Sequence, residues 1–275
     1  MVGALLFLLE RVAALRRASR PLLARLFVNA CVAALAFAAS TWLVRPAAAS
    51  TLQWAWGQPF GVLHIVPMAP AARFVLSFLL MDLTFYWWHV ANHRVPFLWR
   101  FHNVHHIDPD LDVSTAFRFH PGEVALSAGF RVLQISAIGL SAGMFAAYEL
   151  VFQANTLFHH SNVRLPIGLE RWLNVMIVTP RMHGIHHSQI RDEAQSNYSV
   201  VLPWWDRLHR TLGLNVPQSE IAIGVPAYSN PADNTVWDDL LLPFGRQRDY
   251  WRRPDGTIVE RNRATSRGDP SRLAE

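Results

Sequence analysis

Four long apolar stretches dominate the pattern of the chain. Residues 26–44 hold 19 positions without a charge, close to the ~20 that a helix needs to cross a bilayer. A second stretch, 71–90, follows Pro70 and contains Asp82 and then Phe85, Tyr86, Trp87 and Trp88, an aromatic group suited to a membrane interface. A third covers 123–140 with Arg131 inside it, and a fourth covers Ala142–His160. The glycine-flanked residues 139–143 between them predict the turn of an antiparallel helical hairpin. The first 25 residues mix apolar positions with Arg11, Arg16, Arg17, Arg20 and Arg25, which predicts an amphipathic helix lying on an anionic membrane surface. Residues 52–67, broken by glycine and proline, predict an interfacial or re-entrant loop. From 161 onward the chain is polar, arginine-rich and dotted with proline. The expected architecture is an all-α, integral-membrane domain over 1–245, with about four transmembrane helices and a cytoplasmic helical cap. Residues 246–275 are expected to form a mobile tail.

Composition supports this picture. Of 275 residues, 51% are hydrophobic and 16% charged, against about 25% charge in an average soluble domain. A disordered or nucleic-acid-binding tail is excluded, and no nucleic-acid partner is expected. The pI of about 10.1 arises because all 25 bases are arginine, while the formal net charge is only +5; arginine does not titrate away. Five arginines precede the first stretch and Arg45 is the only base in the loop before Pro70. Fourteen arginines, mixed with 13 acids, follow the fourth stretch. The positive-inside rule then places both termini in the cytoplasm, which is the inner membrane's inner face in a bacterium, and four crossings satisfy it. Asp82, Arg131 and Glu149 need partners or an interior position in such a bundle. The single Cys31 excludes a disulfide, a CxxC zinc site and a cysteine-bound iron–sulfur cluster.

The chain has 13 histidines, twelve of them from His89 to His209. Eight fall into His89-x3-His93, His102-x2-His105-His106 and His183-x2-His186-His187. On a helix, an i,i+4 pair shares one face and can hold one metal ion. The extra ring of H-x-x-H-H points ~100° away, so one segment can serve two metals. Neutral imidazole suits Zn, Cu, Fe and Ni. With four crossings, every cluster comes to the same side of the membrane. Asp82, Tyr86, His89 and His93 form a polar stripe at i, i+4, i+7 and i+11, and Glu149, Gln153, Thr156 and His160 repeat that spacing. Both stripes are expected to run up to the metal site, with their carboxylates behind the ligating rings.

These clusters, with Arg118-Phe119-His120-Pro121-Gly122-Glu123, His160-Ser161-Asn162-Val163, Thr179-Pro180-Arg181-Met182-His183, Ser196-Asn197-Tyr198 and Trp205-Asp206-Arg207-Leu208, resemble the fatty acid hydroxylase superfamily over about 71–213. Sterol desaturases, sterol methyl oxidases and alkylglycerol monooxygenase are among its members. The resemblance implies a membrane-embedded, histidine-rich di-iron centre that uses O2 on a lipid. It implies the ligands His89, His93, His102, His105, His106, His160, His183, His186 and His187, with His120 as a tenth. His159 is an extra ring beside His160, and only His160, which continues the stripe from Glu149, is expected to bind. His209 is expected to be structural, and His64 to have no role. Asp82, Glu149, Gln153, Asn162 and Asp206 are the expected supports behind the ligands. Asp206, preceded by two tryptophans, is expected to hold the 183–187 segment through an imidazole N–H or Arg181.

The chain carries no flavin, haem or iron–sulfur motif, so two electrons per turnover must come from a cytochrome b5-, ferredoxin- or flavoprotein-type donor. An alcohol or a double bond would result, on a sterol or fatty-acyl type lipid. Two other readings of the histidines stay open. An intramembrane zinc hydrolase would favour H-E-x-x-H, which is absent. A non-enzymatic metal- or haem-binding membrane protein would need fewer rings.

Overall fold

Pro21 ends an extended N-terminal linker and starts a helix that runs without a break over Leu22–Trp56, 35 residues. The computed structural model describes residues 2–65 and 67–261. Its helices are α1 (Val2–Val12), α2 (Leu22–Ala39), α3 (Arg45–Trp56), α4 (Pro70–Arg94), α5 (Pro96–His106), α6 (Pro121–Ile138), α7 (Ala142–His160), α8 (Ile167–Leu173), α9 (Pro180–His186), α10 (Arg191–Ala194), α11 (Trp204–His209) and α12 (Val236–Leu241). No strand is formed among the described residues beyond three isolated bridges.

The first apolar stretch does not stop at Val44, as its charge pattern suggests. Pro46 lacks an N–H and its ring crowds the carbonyl four residues earlier. The backbone absorbs this in one wide π-helical turn, Ser40–Val44, that joins α2 to α3. The expected interfacial loop therefore begins only at Gly57. Among the described residues, two helices are long and apolar enough to cross a membrane, Leu22–Trp56 and Pro70–Arg94.

α6 packs against α2, the π turn and α3, and α4 packs against α6 and α7. The α6–α7 hairpin turns at Gly139, whose φ of +81° is left-handed. A Cβ there would meet the Phe60 carbonyl oxygen at 2.6 Å, so glycine is required both by the turn and by the loop lying on it. Met81, Ile135, Ile138 and Tyr148 form the core between these helices.

Above this bundle sits a layer of short helices held together by polar groups. Arg118, fully buried, donates to the Val104 carbonyl (2.9 Å), to Asn29 (2.6 Å) and to Asp239 (2.6 Å). Arg25 pairs with Asp108 (2.8 Å) and Asp112 (2.7 Å). This corrects the reading of the first 25 residues as a membrane-surface helix. α1 ends at Val12, and the following linker threads into the layer, where Arg16 and Arg25 are buried. A second correction concerns the tail. Tyr250 and Trp251 pack on the core around Trp99 and Val104, Arg248 grips both oxygens of Asp233, and Arg261 bridges Glu193 and Glu220. Residues 246–261 are thus part of the fold, and the rest of the expected tail lies outside the described residues.

Candidate metal centre

Three proline-started helices and the end of α7 carry the rings. Pro96 and Pro180 sit at the first turns of α5 and α9, where a missing N–H costs nothing. Val95 before Pro96 is extended (φ −90°, ψ 114°), as a residue preceding proline prefers. That reversal folds α5 back against α4, so that His102 comes to face His89 and His93.

The rings form two groups. One nitrogen each of His89, His93, His102, His106 and His186 lie within 4.8 Å of one another, and so do those of His105, His160, His183 and His187. The two H-x-x-H-H segments divide their rings in opposite senses. α5 gives its i,i+4 pair, His102 and His106, to the first group and His105 to the second. α9 gives His186 to the first group, while His183 and the following His187 join the second. The structure therefore brings together nine of the ten expected ligands.

Most of these rings are fixed through the nitrogen that points away from the group. His89 Nδ1 donates to the Tyr198 carbonyl (2.7 Å), His186 Nδ1 to Ser196 (2.7 Å), His105 Nδ1 to Arg118 (3.2 Å) and His160 Nδ1 to Thr156 (2.8 Å). His102 Nδ1 donates to Glu123 Oε1 (2.9 Å). The other nitrogens are left facing one another. Nε2 of His102, His106 and His186, and both nitrogens of His93, are buried without a partner. In the second group, His160 Nε2 lies 3.1 Å from His105 Nε2 and 3.0 Å from His183 Nε2. With their protons on Nδ1, His105 and His160 turn two lone pairs toward each other. A cation between them removes that repulsion, so the donor set fits a metal ion in each group. Burial first, and then neighbouring rings, hold His105, His106, His183 and His187 well below the usual imidazole range; burial takes His186 to about 3. Imidazoles kept neutral in this way are competent ligands.

His120 is placed elsewhere, which corrects its inclusion among the ligands. Its Nδ1 accepts the Gly122 N–H (2.9 Å) as the cap of α6, and its Nε2 donates to the Leu240 carbonyl (3.2 Å), so neither nitrogen is free. His159 belongs to neither group and hydrogen-bonds the Val200 carbonyl (3.2 Å). His209 stacks on Tyr86.

The expected supports also touch other partners. Asp82 accepts from Tyr148 (3.1 Å), Leu202 N–H (2.9 Å) and Trp205 Nε1 (2.9 Å), tying α4 to the layer above. Glu149 pairs with Arg131, Asn162 pairs with the backbone of Arg16, and Gln153 borders the cavity described below. Asp206 is buried, but it holds neither an imidazole nor Arg181. It accepts the N–H groups of Tyr198 and Ser199 (both 2.9 Å) and the Thr211 hydroxyl (2.7 Å). It thus organises the turn whose carbonyls orient His89 and His186. Sequence reasoning missed Glu123 as a ring partner, although the His120-Pro121-Gly122-Glu123 word contains it. The carbonyls of Arg118, Ser196 and Tyr198 leave no side-chain signal to find.

A cavity of about 790 Å³ opens below the rings. α2, α3, α4, α6 and α7 supply mostly apolar walls, including Phe37, Phe85, Trp88, Phe145 and Phe152. At one end it meets rings of both groups, His89 and His102 from the first, and His105, His160 and His183 from the second.

Comparison with known proteins identifies relatives with lipid-modifying names. The chain is 27% identical over 197 residues to the ornithine lipid hydroxylase OlsE of Rhizobium tropici, covering 70% of this chain and 58% of that protein. It is 30% identical over 138 residues to alkylglycerol monooxygenase of Homo sapiens, covering 49% of this chain and 29% of that protein. It is 28% identical over 173 residues to a cholesterol 25-hydroxylase-like protein of Danio rerio, covering 59% and 64%. The chain thus matches less than two thirds of the length of each. No solved structure is significantly similar to it. The fatty acid hydroxylase profile matches residues 74–211, a segment that holds both ring groups and most of the cavity wall; the chain belongs to the fatty acid hydroxylase family.

Proposed function

We propose that this chain is a membrane-embedded di-iron oxidoreductase that uses O2 to hydroxylate or desaturate a lipid held in the cavity. The observation that carries this reading is the apolar cavity ending on rings of both groups. A pair of irons, when bound, would supply the O2 activation that an unactivated C–H bond requires. The nine imidazoles would hold them, His102 with its Nδ1–H fixed on Glu123 and His89 with its Nδ1–H fixed on Tyr198. The aromatic walls exclude water and hold the lipid against the rings. Hydroxylation balances as R–H + O2 + 2e⁻ + 2H⁺ → R–OH + H2O, with both electrons from an external donor protein; desaturation consumes the same electrons and yields two waters.

α6 and α7 complete the bundle in this reading. Their 18 and 19 residues span ~27–29 Å, against a hydrocarbon core of ~30 Å. Four crossings with both termini and the rings on the cytoplasmic side agree with the arginine distribution. The test is metal analysis and an absorption spectrum of the purified protein, with lipid extracts compared by mass spectrometry with and without expression. Two irons per chain, no Soret band and a lipid heavier by one oxygen or lighter by two hydrogens are expected. Two zincs with a cleaved lipid would overturn the reading.

A further inference from the structure

The cavity is not apolar throughout. At the end away from the rings, Arg131 on α6 and Glu149 on α7 form an ion pair inside its lining. The Arg131 guanidinium sits 4.6 Å above the Phe85 ring, with Phe145 and Phe152 beside it. Its Nη1 donates to Gln134 Oε1 (2.7 Å). Gln134 is itself held by the Met81 carbonyl (3.1 Å) and the Thr84 hydroxyl (2.7 Å). The arginine is therefore locked in place. Glu149 is not: 27% of its side chain is exposed, against 7% for Arg131. Its Oε1 meets the guanidinium, and Oε2 takes no hydrogen bond from the described residues. A charged pair among membrane-level apolar walls is costly, and such groups mark substrate pathways.

We propose that the Arg131–Glu149 pair receives a hydroxyl group of the lipid; this rests on the cavity being the lipid site. The charge balance selects the ligand chemistry. Arg131 repels a cationic headgroup and Glu149 repels an anionic one, whereas a neutral hydroxyl donates to the free carboxylate oxygen without offsetting either charge. Arg45 and Glu123 are the other charged groups in the lining: Arg45 lies over the Phe37 ring and is exposed on its own helix, and Glu123 is engaged by His102 Nδ1 (2.9 Å) at the ring end. The helices also set the distance. Arg131 is eight residues from Glu123, the partner of His102, and Glu149 is eleven from His160. At ~1.5 Å per residue, the hydroxyl sits about 12–17 Å from the ring end of the cavity. The carbon presented for oxidation is thus that far from the hydroxyl. A rigid sterol alcohol or an extended long-chain alcohol provides such a span.

The test is competition binding to the metal-free full-length protein in detergent micelles, so that no turnover is needed. Tritiated cholesterol and tritiated hexadecan-1-ol are the probes, competed by cholest-5-ene and hexadecane, which lack the hydroxyl. In the wild type at least one alcohol should bind about tenfold or more tightly than its deoxy partner, and which one does identifies the source. The double variant Arg131→Met/Glu149→Leu removes both charges together, which leaves no unpaired buried charge, and should bring that ratio close to one. Glu149→Gln serves if the double variant does not fold, and must lower the preference at least threefold. Equal binding of alcohol and deoxy compound in the wild type, or a preference that survives these variants, overturns the inference alone. Failure of every probe to bind the cavity overturns the lipid reading as well.

Discussion

At the scale of single residues, support of the rings falls to groups that need not look catalytic. Asp206 acts on the Tyr198–Ser199 backbone rather than on a ring. Replacing it with alanine should free the turn that aims the Tyr198 carbonyl at His89, and lower metal retained per chain about tenfold or more; elemental analysis of the purified variant reads this. Removing a ring from a group differs from removing a cap. His160→Ala should lose metal, whereas His120→Ala should keep it and lose about 1 kcal/mol of stability with the α6 cap. Retained metal in the first variant, or lost metal in the second, would reverse their assignment. The ring set was legible because i,i+4 spacing on a helix leaves little freedom in where side chains point. Asp82 and Glu149 were legible as a polar stripe but not in their partners. Tyr148, Trp205 and Arg131 come from other helices, and no periodicity along one element encodes what faces it.

At the scale of elements, the helices were readable from their apolar length and their ends less so. The uncharged run reads as ending at Val44, yet the π turn lets the helix continue past Pro46 to Trp56. The arginines of the first 25 residues read as a surface because their acidic partners lie some 90 positions away, as Arg25 with Asp108 and Asp112 shows. The 246–261 segment is poor in apolar residues, but two aromatics in it are enough to fix it. Truncation after Gly245 should expose the Trp99 face and cost at least about 2 kcal/mol. Thermal melting and limited proteolysis would show it, and an unchanged melting curve would restore the mobile-tail expectation for these residues.

At the scale of the molecule, buried rings on α5 and in the α9 segment tie folding to pH. Burial takes His186 to about 3 and holds His105, His106, His183 and His187 below their ordinary value. Unfolded imidazole takes its proton near 6.5, so the unfolded chain binds more protons below that pH. The neutral rings' contribution is therefore fully present above about 6.5 and is lost as pH falls toward their folded values. The metal-free protein should melt at progressively lower temperature from pH 6.5 to 4, and a flat profile would contradict this burial. The division of rings has a further consequence. Because α5 and the α9 segment each contribute to both groups, the first ion to arrive fixes the two segments that the second ion also needs. Much of the ordering cost of the second site is then already met, and uptake becomes cooperative. Native mass spectrometry during a sub-stoichiometric titration should show chains with no ion and chains with two, while those with one stay scarce.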